Sequence, residues 1–187
     1  MSTQTSEWYT RPKYIEAARL VMGGIGLDPA SCAAANEIVK ATCYYTKEQN
    51  GLERPWFGKV WLNPPYGRTA NMQARGQSLI RRFTDKAVSA YQSGDIEQAI
   101  ILATAEINAK WFQALAGFLI CIPDHRVSFI VPEKLDKYSQ MFGTTFVYLG
   151  QQESRFVEIF GQFGGVYKRL NSPTPKPKPR ELWEVSA

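Results

Sequence analysis

Strand-like apolar runs alternate with amphipathic segments along this chain, and that alternation restricts the folds it can adopt. Continuous apolar runs are typical of strands buried on both faces, as in a parallel sheet that helices cover. The alternation therefore predicts an α/β fold with a mostly parallel sheet. The strand-like runs span 59–62, 99–103 and 118–122, and the helix-like segments span 12–22, 33–41, 79–91 and 109–116.

Two regions modify this simple pattern. Segments 144–149 and 155–160 have the composition of a closing pair of strands. Upstream, only 35 positions (63 − 28) separate Asp28 from Asn63, which leaves little room for two full strands with their helices. We therefore expect the sheet to be abbreviated there, or to be completed by a short edge strand within 41–45.

The composition is that of one ordinary globular domain. The chain has 187 residues, of which 44% are hydrophobic and 21% charged, which excludes a disordered or collagen-like chain. No apolar run approaches the roughly 20 residues that span a bilayer, and residues 1–10 carry no secretory signal. We therefore expect a cytoplasmic protein. The proline-rich stretch 172–180 predicts a single domain over 1–170 and a tail over 171–187.

The residues that usually hold metals or form disulfides are scarce. There are three cysteines, widely spaced and without a CxxC pair, and one histidine, His125. This pattern argues against a disulfide framework and against a zinc site, so we expect no metal. The cysteines are expected to be small buried residues in a reducing compartment, and His125 a loop residue.

Positive charge is concentrated in one segment. The net charge is +5 (22 − 17), and between residues 67 and 91 Asp85 is the single anion among five cations. Two interpretations stand: a solvated helix face, or a surface that contacts phosphates. The five cations are Arg68, Arg75, Arg81, Arg82 and Lys86.

The sharpest chemical signal is Asn63-Pro64-Pro65-Tyr66, directly after a predicted strand. Two prolines stiffen the turn and remove two backbone donors. The Asn63 side-chain carbonyl and the Pro64 backbone carbonyl can then accept both hydrogens of one exocyclic amino group. Tyr66 offers a flat face for a planar ring. A purely structural turn is the alternative interpretation.

A second turn of interest, Leu27-Asp28-Pro29-Ala30-Ser31, comes at the end of the short run 24–28, where we expect the carboxyl end of a strand. In open α/β sheets ligands bind outside the carboxyl ends of the strands, so both turns are expected at one binding edge. Asp28 can serve as a charged ligand contact or simply as the cap of an Asp-Pro turn.

The run from Val60 to Gly67, which contains Asn63-Pro64-Pro65-Tyr66, resembles the catalytic motif of S-adenosylmethionine-dependent amino-methyltransferases. In that motif Asp, Asn or Ser precedes two prolines and an aromatic residue. Adenine-N6 and cytosine-N4 DNA enzymes share it with RNA guanine-N2 and protein glutamine-N5 enzymes. The motif alone therefore indicates the chemistry better than the substrate.

Three further stretches narrow the resemblance. Residues 7–10 resemble the segment that packs over the methionine part of the cofactor, and 28–31 resemble the start of the DPACGSG cofactor motif, with Cys32-Ala-Ala in place of its glycines. Asn50-Gly51-Leu52 and the following Pro-Trp complete the order found in small phage and prophage DNA N-6-adenine-methyltransferases of the Dam type. The resemblance covers residues 7 to about 160.

The resemblance implies a Rossmann-like methyltransferase fold with a closing antiparallel strand and S-adenosylmethionine as cofactor. It also implies a role for each matching residue. The residues expected to contact the cofactor are Trp8, Tyr9, Thr10, Asp28, Pro29, Ala30, Ser31 and Asn50. The residues expected to hold the target base are Asn63, Pro64, Pro65 and Tyr66. Beside these, the cations expected at DNA phosphates are Arg68, Arg75, Arg81, Arg82, Arg126 and Lys134.

The expected function is site-specific DNA adenine-N6 methylation, in which the enzyme flips an adenine out of double-stranded DNA. If phage or prophage encoded, the protein would act in the cytoplasm of a bacterial host, alone or with a separate restriction partner. One alternative is an RNA or protein-glutamine methyltransferase that uses the same turn. Another is a DNA-binding relative without catalysis. Substrate preference and cofactor binding discriminate between the three.

Overall fold

The computed structural model describes residues 8–65, 78–130, 138–139 and 143–171. Within them the chain forms strands and helices in alternation, as predicted. The strands are β1 (Tyr9–Thr10), β2 (Leu27–Asp28), β3 (Cys43–Tyr44), β4 (Gly58–Leu62), β5 (Ile96–Thr104), β6 (Leu119–Pro123), β7 (Phe129–Ile130), β8 (Tyr138–Ser139), β9 (Thr144–Leu149) and β10 (Gly164–Tyr167). The helices are α1 (Pro12–Met22), α2 (Ala33–Val39), α3 (Leu79–Ser93), α4 (Lys110–Leu115) and α5 (Glu153–Phe160).

Seven strands form the main sheet, in the order β10-β6-β9-β5-β4-β2-β3. Strands β3, β2, β4 and β5 are parallel neighbours, and β9 lies antiparallel between β5 and β6. The edge strand β10 is antiparallel to β6. The predicted α/β fold, a mostly parallel sheet with a closing antiparallel strand, is confirmed.

The sheet is abbreviated between the two predicted motifs, as expected. Between Asp28 and Asn63 the chain forms α2, the two-residue edge strand β3, and β4, and the predicted catalytic turn begins at Asn63 directly after β4. Strand β3, Cys43–Tyr44, is the short edge strand predicted within 41–45. The predicted cofactor turn and the predicted catalytic turn therefore follow adjacent strands, β2 and β4.

The prediction of a strand over 155–160 is wrong, since this segment lies in helix α5. Its apolar residues fit either period, and packing decides between them. Phe156 and Phe160, four residues apart, share one helix face and are fully buried. Their rings stack at 4.6 Å between centroids, and Phe156 stacks on Tyr148 of β9 at 5.1 Å. Strand β10 takes the edge position instead.

Helices cover both faces of the sheet, which explains the continuous apolar runs. Along β5, Ile100 and Leu102 face the layer formed by α1 and α5, whereas Ile101 faces the layer formed by α3 and α4. All three side chains are fully buried. At roughly 25 cal/mol per Å² of buried apolar surface, this two-sided burial is the main driving force for the fold.

A second, small antiparallel sheet connects the amino-terminal segment to the body of the protein. Strand β1 pairs with β7, with Thr10 opposite Phe129, and β7 pairs with β8. The Trp8 ring meets the Phe129 ring edge to face at 6.1 Å. None of the helices in the described ranges has the length and apolar character required to cross a membrane.

Candidate active site

The predicted cofactor turn and catalytic turn lie at one edge of the sheet. Strands β2 and β4 are parallel, with Leu27 opposite Val60, so their carboxyl ends point the same way. Asp28 ends β2, and Asn63 directly follows β4. The expected convergence of these two turns is therefore observed. Tyr66, Arg68, Arg75 and Lys134 lie outside the described residues.

The side-chain amide of Asn63 has a fixed orientation. Its Nδ2 donates a hydrogen bond to the backbone carbonyl of Trp8 at 3.0 Å. Its Oδ1 is buried and, in the described part of the chain, has no hydrogen-bond partner. One N–H of Nδ2 is engaged, whereas Oδ1 is left as a buried acceptor, and an acceptor is what an incoming amino group requires.

Asp28 is a buried carboxyl group, with 3% of its surface exposed. Its Oδ1 accepts a hydrogen bond from the backbone N–H of Ala30 at 3.1 Å, the local contact expected of an Asp-Pro turn. Burial raises the pKa of Asp28 from 3.8 to about 7, and the Ala30 hydrogen bond opposes this rise. None of the ion pairs among the described residues includes Asp28. The site is thus suited to a ligand cation.

Backbone contacts hold the turn after Asp28 in place. The N–H of Ser31 donates to the carbonyl of Tyr45, and the N–H of Tyr45 donates to the carbonyl of Asp28, each at 2.9 Å. Gly51 packs directly against Pro29: a Cβ at Gly51 would lie 1.9 Å from the Pro29 carbonyl oxygen. Glycine at position 51 therefore allows this loop to pack closely against the turn after Asp28.

Cys32 occupies the place where the resembling motif has glycine, and the structure gives it a role that sequence reasoning missed. Its Sγ caps helix α2 by accepting from the N–H of Ala35 at 3.4 Å. The Tyr9 hydroxyl lies 3.4 Å from the same sulfur. Tyr9, in β1, is thereby tied to the cofactor turn.

Four buried side-chain oxygens in the described residues have no hydrogen-bond partner: Thr10 Oγ1, Ser31 Oγ, Asn63 Oδ1 and Thr144 Oγ1. Leaving such a group unpaired costs about 1–3 kcal/mol, so each requires an explanation. Three belong to the segments predicted to bind cofactor or substrate. The Ser31 hydroxyl lies near enough to lower the pKa of Asp28, but its geometry falls short of a hydrogen bond.

Thr144 was not predicted as a site residue. It begins β9 and pairs with Thr104, the last residue of β5, and β5 is the neighbour of β4. Thr144 therefore lies at the same edge of the sheet as the catalytic turn. The sequence carries a signal, since a polar residue stands where a mostly apolar strand begins. The position of this strand in the sheet, which brings Thr144 to the edge, cannot be read from the sequence.

Two other predicted candidates have visible local roles. Asn50 has a left-handed backbone, with φ of 52°, and its carbonyl accepts from the N–H of Glu53 at 2.8 Å. Arg81, on α3, forms an exposed ion pair with Asp85 at 3.4 Å, as a solvated helix face would.

Two further predicted DNA contacts, Arg82 and Arg126, lie within the described residues, and no hydrogen bond described there brings them to the edge of the sheet that carries Asp28 and Asn63. Arg82 is half-buried on α3, and Arg126 is exposed in the loop before β7. His125 lies in that same loop, as predicted, where its Nε2 contacts the Tyr14 hydroxyl at 2.9 Å. In the ranges described, no group of three or more His, Cys, Asp or Glu side chains is placed to hold a metal ion.

The residues at this edge fit the polar end of S-adenosylmethionine. A buried carboxyl without a cation suits the α-ammonium group, and the unpartnered hydroxyls of Thr10 and Ser31 can satisfy neighbouring polar atoms. Strand β1 supplies the Thr10 hydroxyl, the end of β2 supplies the Asp28 carboxyl, and the turn after β2 supplies the Ser31 hydroxyl.

The whole chain was compared with known proteins. A solved structure from Listeria monocytogenes, described as a class I S-adenosylmethionine-dependent methyltransferase, is 10% identical with a TM-score of 0.48. That alignment covers 96% of this chain, which spans 65% of the Listeria chain's length. No curated protein gives a significant match. The family model of DNA N-6-adenine-methyltransferase (Dam) matches residues 2–161. The chain therefore belongs to the Dam family of DNA N-6-adenine-methyltransferases, whose cofactor is S-adenosylmethionine.

Proposed function

We propose that this protein transfers a methyl group from S-adenosylmethionine to N6 of an adenine that is flipped out of duplex DNA at a specific site. The observation that carries the proposal is the buried, unpartnered Oδ1 of Asn63, held open by the bond from Nδ2 to Trp8. The activity is assigned to residues 1–170 as one domain, with 171–187 as a tail.

Asn63 and Pro64 prepare the nucleophile. Asn63 Oδ1 and the Pro64 backbone carbonyl each accept one hydrogen of the exocyclic amino group. This pair of bonds favours tetrahedral geometry at nitrogen and localises the lone pair for attack. After the methyl group has been transferred, with S-adenosylhomocysteine as the leaving group, the amino group releases one proton to solvent. No general base of shifted pKa is needed to start the reaction, in keeping with a chain that has one histidine.

Pro65 and Tyr66 complete the base pocket. Pro65 stiffens the turn, and Tyr66 stacks on the extruded ring. Flipping costs a few kcal/mol, and stacking contributes about 1–3 kcal/mol against it. The remaining rate advantage comes from holding the amino nitrogen in line with the reactive methyl group.

Asp28 and the residues around it orient the cofactor, which supplies an electrophilic methyl group when bound. The Asp28 carboxylate pairs with the α-ammonium, and the Thr10 and Ser31 hydroxyls bond the adjacent polar atoms. Trp8 and Tyr9 cover the methionine end, Pro29 and Ala30 bring their backbone close, and Asn50 is the polar candidate for the nucleoside end.

Basic side chains neutralise the DNA backbone on either side of the flipped nucleotide. Each phosphate contact releases counterions, so binding weakens as salt rises. Salt-insensitive DNA binding would contradict this assignment. The proposed phosphate contacts are Arg68, Arg75, Arg81, Arg82, Arg126 and Lys134.

Transfer of label from radiolabelled S-adenosylmethionine to duplex DNA, RNA and total protein, measured in parallel, tests the proposal. Label is expected in DNA and lost with Asn63→Ala, whereas Asn171→Ala, an exposed asparagine whose side chain bonds Arg169, keeps wild-type transfer. Label in RNA or protein would keep the chemistry and overturn the substrate. Absence of both label and cofactor binding would overturn the enzyme assignment.

A further inference from the structure

We propose that Lys86 is a positioning residue for the cofactor: its ammonium group anchors the loop 51–54 and thereby fixes the turn Asp28–Ser31. This inference rests on the proposed function, because it assumes that the turn contacts S-adenosylmethionine. Lys86 is one of the five cations between residues 67 and 91, and in the structure its ammonium group binds backbone carbonyls of the protein itself.

The ammonium group of Lys86 uses all three of its donors on one loop. Nζ donates to the backbone carbonyls of Gly51 at 3.3 Å, Leu52 at 2.8 Å and Arg54 at 2.5 Å. An ammonium group has three N–H donors and no acceptor, so its hydrogen-bonding capacity is filled. Charge-assisted bonds of this kind are roughly twice as strong as neutral ones.

Trp56 reinforces the same anchor from inside the protein. Its Nε1 donates to the Gly51 carbonyl at 2.8 Å, and Lys86 Nζ lies 5.4 Å from the centroid of its ring. The Trp56 side chain is 4% exposed and packs against Phe83 of α3. The Gly51 carbonyl is therefore held by two donors, both connected to α3.

The anchored loop 51–54 is in close contact with the turn Asp28–Ser31. The Cβ position of Gly51 lies 1.9 Å from the Pro29 carbonyl oxygen, so only the absence of a side chain allows the contact. Pro29 directly follows Asp28. A shift of Gly51 is therefore transmitted to the backbone that carries the Asp28 carboxyl and the Ser31 hydroxyl.

Helix α3 begins at Leu79, shortly after the catalytic prolines in the chain. Lys86 thus connects the helix downstream of the catalytic turn with the loop that supports the cofactor turn. The groups of a binding site must be held within about 0.5 Å of the productive geometry, so loss of this anchor is expected to weaken cofactor affinity.

A merely structural role for Lys86 makes a different forecast. In that case its removal lowers stability, but the protein that remains folded binds the cofactor normally. Val88→Ala provides the matched control, since Val88 lies on α3, packs against the core and makes none of the bonds to the loop.

The test measures S-adenosylmethionine binding by calorimetry and steady-state kinetics on the full chain, with urea unfolding alongside. Lys86→Met is expected to raise the cofactor Kd and KM at least tenfold, with kcat at saturating cofactor within threefold of wild type. Lys86→Arg recovers part of the affinity, and Val88→Ala leaves Kd unchanged. If Lys86→Met does not fold, Lys86→Gln replaces it with the same expected direction.

Two results would overturn the inference. One is wild-type cofactor affinity in the folded Lys86 variant. The other is an equal loss of affinity in Val88→Ala at equal stability. Failure of the wild-type protein itself to bind S-adenosylmethionine would overturn the proposed function, and this inference with it.

Discussion

Asn63→Asp is the most informative single substitution in this chain. The resembling motif accepts Asp, Asn or Ser before the two prolines, so the change looks conservative. In this structure Nδ2 of Asn63 donates to the Trp8 carbonyl at 3.0 Å. A carboxylate cannot donate, and it places an oxygen against that carbonyl. We therefore expect Asn63→Asp to damage both stability and activity.

The size of the effect follows from the loss of one hydrogen bond at the Trp8 carbonyl. The carbonyl is left as an unpaired acceptor, which costs about 1–3 kcal/mol. Because a carboxylate oxygen also faces the carbonyl, we expect the upper end of this range, about 3 kcal/mol, or roughly a hundredfold in any equilibrium that requires this geometry. When protonated, the new carboxyl can donate to the Trp8 carbonyl. Its folded-state pKa is therefore raised, and its stability deficit shrinks as pH falls.

Urea unfolding at pH 5 and pH 8, each relative to wild type at the same pH, measures this effect. Methyl transfer at pH 8 completes the assay. The expected result is a deficit at pH 8 that narrows at pH 5, with transfer reduced roughly a hundredfold. Asn171→Asp serves as the exposed control. Wild-type stability and activity of Asn63→Asp at pH 8 would refute the inference that Trp8 orients this amide.

The other buried polar groups lead to three more predictions. Asp28→Asn is expected to stabilise the apoprotein at pH 8 by up to about 4 kcal/mol, since ionising a carboxyl whose pKa is about 7 opposes folding. Urea unfolding measures this gain in stability. The same variant should lose the thermal shift that S-adenosylmethionine produces. Wild-type affinity for the cofactor is expected to rise by up to tenfold per pH unit until about pH 7, and to stop rising before the α-ammonium group deprotonates at about pH 8. Equal affinity from about pH 5.5 to about pH 7 in calorimetry would contradict the Asp28 contact. Thr144→Val, which removes an unpartnered hydroxyl, is expected to raise stability by about 1 kcal/mol and to lower methyl transfer; unchanged transfer would remove Thr144 from the site.

Local signals predicted most of the elements, because their causes are local. Helix α1 matches its predicted bounds, Pro12–Met22, since proline suits the first turn and the apolar residues recur at helical spacing. Segment 155–160 was mispredicted because its apolar residues fit two periods. Packing against other elements decides for the helix, as in the stacking of Phe156 on Tyr148 of strand β9.

In the candidate site, too, the residues that belong to local motifs were predicted, and the contacts between residues far apart in the sequence were not. Asn63 and Asp28 were predicted from short motifs, and the parallel sheet brings them to one edge. The bond between Asn63 and Trp8 joins residues 55 positions apart, so no local pattern announces it. The sequence identifies Lys86 only as one of the five cations between residues 67 and 91, because charge alone does not reveal that three carbonyls surround its ammonium group.

The central claim is that the open Oδ1 of Asn63 receives the amino group of an adenine in DNA. Its most direct test is nucleoside analysis of duplex DNA after incubation with the protein and S-adenosylmethionine. The account predicts N6-methyladenine with the wild-type chain, at defined sites, and none with Asn63→Ala. Unmethylated DNA alongside labelled RNA or protein, or N6-methyladenine formed equally well by Asn63→Ala, would contradict it.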